Sequence, residues 1–95
     1  MLIQGGVLMV QQQFVIASPN GLSSRASANL VSEANRYKSD VFLNYQGESA
    51  NMKSIMNVMA LVIRQNEAFE VLCEGDDETN AIENISKLMK DINLI

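Results

Sequence analysis

Two hydrophobic periods alternate along this chain, and their order limits it to a few folds. Val41, Leu43 and Tyr45, like Phe69, Val71 and Cys73, recur at every second residue, the period of a half-buried strand. Ala81, Ile82, Ile85, Leu88, Met89 and Ile92 instead fall on one face of a helix. The same reading along the chain predicts a strand over Val10–Ala17, with Val10, Phe14 and Ile16 on one parity and Gln12 interrupting it. Ser18-Pro19-Asn20-Gly21 is a turn signal, after which Ser23 or Ser24 can cap a helix over Ala26–Tyr37, where Ser27, Leu30, Val31, Ala34 and Tyr37 share a face. Strands over Asp40–Tyr45 and Glu48–Asn51 are joined by Gln46-Gly47 as a hairpin turn. A short methionine-rich helix over Ser54–Leu61 follows, then a polar break at Arg64–Glu67 and a strand over Ala68–Glu74. Gly75-Asp76-Asp77-Glu78 opens the last helix, with acids at its positive end and Lys87 and Lys90 near its carbonyl end.

The order is therefore βαββαβα. Ninety-five residues support one core. Four strands and three helices in so short a chain predict an α+β fold, an open-faced β-sandwich with a four-stranded antiparallel sheet covered by helices on one face. Residues 9–95 are expected to form this single domain. Met1 to Leu8 stand apart, since they hold two of the five glycines and no charge. Gln4-Gly5-Gly6-Val7 back-translates to a codon run containing AAGGAGGT, a purine-rich ribosome-binding sequence lying just upstream of Met9. The expectation is that translation starts at Met9 and that residues 1–8 are a non-native extension.

Composition narrows the chemistry. Histidine is absent, which removes imidazole as general base, metal ligand or phosphoryl acceptor. The single cysteine can form neither an internal disulfide nor a thiolate zinc site, and Asp76 to Glu78 lack calcium-loop spacing, so no cofactor or metal is expected. Apolar runs are short, no secretory segment stands out, and the expected compartment is a reducing cytoplasm with no membrane attachment. Residues 1–66 carry net charge +2 and residues 67–95 carry −6. An acidic chain without a basic stripe is a poor candidate for direct nucleic-acid binding, although the region of Arg25 and Lys53 can attract an acidic or phosphorylated partner.

Two segments carry a family likeness. Asn20-Gly21-Leu22-Ser23-Ser24-Arg25-Ala26 resembles the phosphocarrier loop of the HPr family of the bacterial sugar phosphotransferase system, whose pattern is Gly-Leu/Ile-His-x-Arg-Pro-Ala. Lys53-Ser54-Ile55-Met56-Asn57-Val58-Met59-Ala60-Leu61 resembles that family's regulatory-serine helix, Lys-Ser-Ile-Met-Gly-Val-Met-x-Leu. Gly75 to Glu78 resembles the start of its last helix, and the likeness runs from Met9 to about Ile92 without a gap. Ser23 stands where the family keeps its phosphoryl-accepting histidine, and Ala26 where it keeps proline. A serine phosphate is an ester of low transfer potential, unlike the labile P–N bond of phosphohistidine, so the resemblance implies a loss of relay and no catalysis. The same loss marks the HPr-like catabolite-repression branch, Crh, which this chain is similar to.

That resemblance implies phosphorylation of Ser54 by HPr kinase/phosphorylase, then binding to a catabolite control protein, a transcription regulator. Ser54 is also an ordinary N-cap by position. The resemblance places Ile55, Met56 and Met59 on an exposed docking patch, while helical spacing alone is equally that of core residues; Val58 and Leu61 are the better core candidates. Arg25 opposes the helix dipole, which suits either a nearby anion or a solvated side chain, and Lys53 can steer a partner or simply be exposed. Cys73 reads as a small buried hydrophobe. Asn57, Val62 and Asn66 fill positions where the family often has glycine; asparagine tolerates left-handed angles, whereas Val62 requires a different backbone or a repacked loop. The alternative from another class is a phosphotransferase-system component that uses another phosphoryl acceptor; a third reading is a passive binder that docks on the system's enzymes and competes with the true carrier.

Overall fold

The computed structural model describes residues 9–95; the expected extension, Met1 to Leu8, lies outside them. Its elements run β1 (Met9–Val15), α1 (Ser24–Ala34), β2 (Asp40–Tyr45), β3 (Glu48–Asn51), α2 (Ile55–Met59), β4 (Ala68–Glu74) and α3 (Glu78–Asp91). The four strands form one antiparallel sheet in the order β1-β4-β2-β3. This is the open-faced α+β arrangement that the periodicities predict.

Side chains of a strand point alternately to its two faces, so one parity of each strand meets the helices. Phe14, Val41, Leu43, Ala50, Phe69, Val71 and Cys73 are buried on that side. Ala26, Leu30 and Ala34 of α1 and Ala81, Ile82, Ile85 and Met89 of α3 pack onto it, with Val58 from α2. Phe14 and Phe69, opposite each other in the β1–β4 register, stack at 5.6 Å between ring centres. The Gln46-Gly47 turn has φ of 48° and 81°, the two positive angles that match the twist of a hairpin.

The differences from expectation lie at element ends. Strand β1 stops at Val15, because the amides of Ala17 and Ser18 turn to the Leu94 carbonyl. Helix α1 starts two residues earlier than its apolar stripe suggests and ends at Ala34; Arg36 and Tyr37 close it with tighter bonds to the carbonyls of Glu33 and Ala34. Helix α2 spans only Ile55–Met59, with Ser54 as its cap and Leu61 bonding three residues back to Val58.

The largest correction concerns the acids before α3. Asp77 holds the N-cap position yet makes no side-chain cap bond. Its carboxylate instead accepts from the Lys38 and Ser39 amides at 3.0 and 2.9 Å and from the Ser39 hydroxyl. Gly75 permits this clasp, since a Cβ there would lie 2.8 Å from the Ser39 Cα. Asp77 therefore staples the α1–β2 loop to the start of α3, and only Glu78 remains as an acid in the first turn.

Candidate functional site

Ser23 and Ser54 each begin a helix. Ser23 has extended backbone (φ −71°, ψ 167°), and its Oγ accepts from the Ala26 amide at 3.2 Å. Of the two cap candidates, Ser23 is therefore the one used. The loop before it is fixed by Gly21, whose φ is 64°. A Cβ on Gly21 would fall 2.4 Å from the Ile63 carbonyl oxygen, and that same carbonyl accepts from the Leu22 amide at 2.8 Å. Close backbone approach, rather than turn geometry alone, requires the glycine.

The strap formed by residues 60–67 supports this loop. The Asn66 amide donates to the Ile16 carbonyl, the Ile16 amide donates to Glu67, and Gln65 Nε2 donates to the Ala17 carbonyl at 3.0 Å. Glu67 Oε1 accepts from the Arg64 amide at 2.7 Å and from the Tyr45 hydroxyl at 2.8 Å. The Arg64 amide is the main reason the Glu67 carboxyl sits below its usual range, and the Tyr45 bond adds to it. Asn66 takes φ 71°, the left-handed angle expected of it, while Val62 is not among the residues with positive φ and so takes a different backbone.

Ser54 lies at the other end of α1. Its Oγ accepts from the Asn57 amide at 3.3 Å. The adjacent Lys53 is doubly tied to the carbonyl end of α1: its Nζ donates to the Tyr37 carbonyl at 2.7 Å, and its own carbonyl accepts from Asn35 Nδ2 at 3.1 Å. Its cation thus complements the negative end of α1 from a fixed position.

Val58 of α2 and Leu61 just beyond it point into the core, whereas Met56 is 76% exposed, Met59 47%, and Ile55 is half-buried. A helix this short has one buried side, and Met56 and Met59 fall outside it. Val62, 65% exposed, extends the same apolar ridge. The sequence reading missed Val62 as a surface residue, although the apolar run through 55–63 is longer than so short a helix can bury. Met59 and Val62 line a groove of about 390 Å³ with Gly21, Leu22 and Arg64, which brings the first loop and α2 together. Arg25, exposed in the first turn of α1, lines a different hollow with Ser23, Ser18 and Asn29. Cys73 is fully buried; burial first, then Asp77 and Glu78, pushes its thiol up to about 11, so it stays protonated and unreactive. No helix among the described residues is long and apolar enough to cross a membrane.

The structure is a small open-faced α+β domain that presents two serine-capped helix starts and an exposed apolar ridge. A family model described as "PTS HPr component phosphorylation site" matches residues 10–91. The chain is 37% identical over 83 residues to the HPr-like protein Crh of Bacillus subtilis (strain 168), covering 87% of this chain and 98% of that protein. It is 36% identical to the phosphocarrier protein HPr of Buchnera aphidicola subsp. Acyrthosiphon pisum (strain APS), covering 88% and 99%. A solved histidine-containing phosphocarrier protein from Mycoplasma superposes with a TM-score of 0.88 at 31% identity, covering 90% of this chain and 98% of that one. The chain belongs to the HPr family. Proteins of this family are phosphocarriers rather than catalysts, and membership implies interaction with proteins of the phosphotransferase system.

Proposed function

We propose that this chain is a non-catalytic regulatory member of the HPr family, a cytoplasmic switch operated by phosphorylation of Ser54. One observation carries the proposal: in a chain without histidine, the serine that caps α2 stands beside the exposed side chains of Met56 and Met59. A phosphate on Ser54 adds about −1.5 to −2 charges next to an apolar ridge, a combination that a partner can read with arginines and an apolar pocket. In this reading HPr kinase/phosphorylase supplies the phosphate. The reader is a catabolite control transcription regulator meeting Ile55, Met56 and Met59, with Lys53 and Arg25 contributing positive charge. Ser23, in the histidine's place, serves as a helix cap. An ester there would hold a phosphoryl group without passing it on.

The test is incubation with HPr kinase and ATP, followed by intact mass of wild type and Ser54→Ala. One added phosphate on wild type alone is the expected result, and no addition to either overturns the switch. The same spectra, taken on natively expressed protein, test the start at Met9: a mass that includes Met1 to Leu8 overturns it. A second reading is favoured by the ridge itself, since the exposure of Met56, Met59 and Val62 owes nothing to Ser54. In it the protein docks passively on phosphotransferase-system enzymes and competes with the true carrier, and Ser54→Ala competes as well as wild type. Both readings predict no labelling from phosphoenolpyruvate through the system's general enzyme.

A further inference from the structure

The helices leave one face of the sheet uncovered by any described element. Phe42 and Leu72 are opposite each other at its centre, both half-buried, and Val15 and Ala68 form a second exposed apolar pair near one end. Around them stand Asp40, Glu70 and Glu74. Asp40 and Glu74 are direct cross-strand partners, both exposed, an arrangement that places like charges where they destabilise a sheet. No cation relieves them: none of the seven Lys and Arg residues lies in a strand, and the one ion pair among the described residues, Arg36 with Glu33, is elsewhere.

We infer that this uncovered face is a second docking surface, distinct from the α2 ridge, and that its occupant is a cationic amphipathic helix of a partner protein. An apolar centre edged by carboxylates that no cation meets, Glu70 accepting only from Asn44 Nδ2 at 3.0 Å and with Gln11 and Gln13 alongside on β1, complements apolar side chains flanked by Lys or Arg. It repels a second copy of itself, nucleic acid and anionic lipid alike. The two seven-residue strands β1 and β4, at about 3.3 Å per residue, make the face about 23 Å long, the length of a helix of about four turns. The face that is already covered shows the same geometry filled, with α1 and α3 lying on its apolar parity. The inference stands whether or not Ser54 is modified.

The test uses the full chain, ¹⁵N-labelled, titrated with a synthetic leucine–lysine amphipathic peptide of about 16 residues and with its leucine–glutamate counterpart. Amide shifts confined to β1, β2 and β4, lost at high salt and absent with the glutamate peptide, are expected. Glu70→Lys or Glu74→Lys should weaken binding by about tenfold or more. Glu74→Gln should bind less tightly yet melt at a higher temperature, because relief of the Asp40 repulsion is a gain only when no cationic partner is present. Shifts centred on α2, equal response to both peptides, or concentration-dependent shifts on this face without peptide would each overturn the inference, the last in favour of a homodimer. Unchanged affinity in both lysine variants would overturn it too.

Discussion

Single atoms decide much of this structure. The Asp77 carboxyl is held down to about 2, first by the Ser39 hydroxyl and then by the Lys38 and Ser39 amides. Because its folded value lies below the unfolded one near 3.8, its contribution is complete above pH 4 and disappears as pH falls toward 2. Asp77→Asn should therefore unfold at lower urea than wild type at pH 7. The gap between the two midpoints should close between pH 4 and pH 2, as urea titrations at several pH values would show. Gly21 is as demanding for a different reason. Gly21→Ala combines a left-handed φ with a backbone collision against Ile63, so a loss of more than about 2 kcal/mol is expected from chemical denaturation. Asn66 shares the angle of Gly21 without the close approach, which is why asparagine serves there.

At the level of elements, the two caps are the parts most accessible to test. Ser54→Ala removes the bond to the Asn57 amide and should cost about 1 kcal/mol, whereas Ser54→Asp keeps an acceptor and should fall within about 0.5 kcal/mol of wild type. Thermal melts of the pair check this, and they separate loss of the cap from loss of a phosphorylation site. Elements were also where the sequence was most legible. Strands β2, β3 and β4 have the bounds that alternation predicts, since Val41, Leu43, Phe69, Val71 and Cys73 all face one layer. Helix ends were less legible: α1 gives up Tyr37 to a tight turn, and α2 shrinks around Val58. The exposure of Met56 and Met59 could not be read from spacing, because methionine at helical intervals suits core and surface equally. How far α2 reaches onto the sheet decides between them.

At the scale of the whole molecule, one core does all the holding. Leu30 is fully buried beneath α1, and Leu30→Ala should cost about 3 kcal/mol. In a domain this size that is a large share of a stability of about 5–10 kcal/mol, and a calorimetric midpoint lowered by at least 10 °C is expected, on the order of the usual shift per kcal/mol. The position of β4 between β1 and β2 brings the first loop, the 60–67 strap and the Met59 end of α2 together, while the Ser54 end of α2 stays by the carbonyl end of α1. By itself the sequence determined the element order, the hairpin turn, the Ser54 cap and the absence of any imidazole, and narrowed the first cap to Ser23 or Ser24, because periodicity, capping and turn chemistry act over a few neighbouring residues. Only tertiary structure decided that Asp77 would clasp Ser39 across 38 positions, that Lys53 would be tied to Tyr37, and that Val62 would extend the ridge. Those outcomes depend on which distant backbone groups meet once the sheet closes, and no local pattern encodes that meeting.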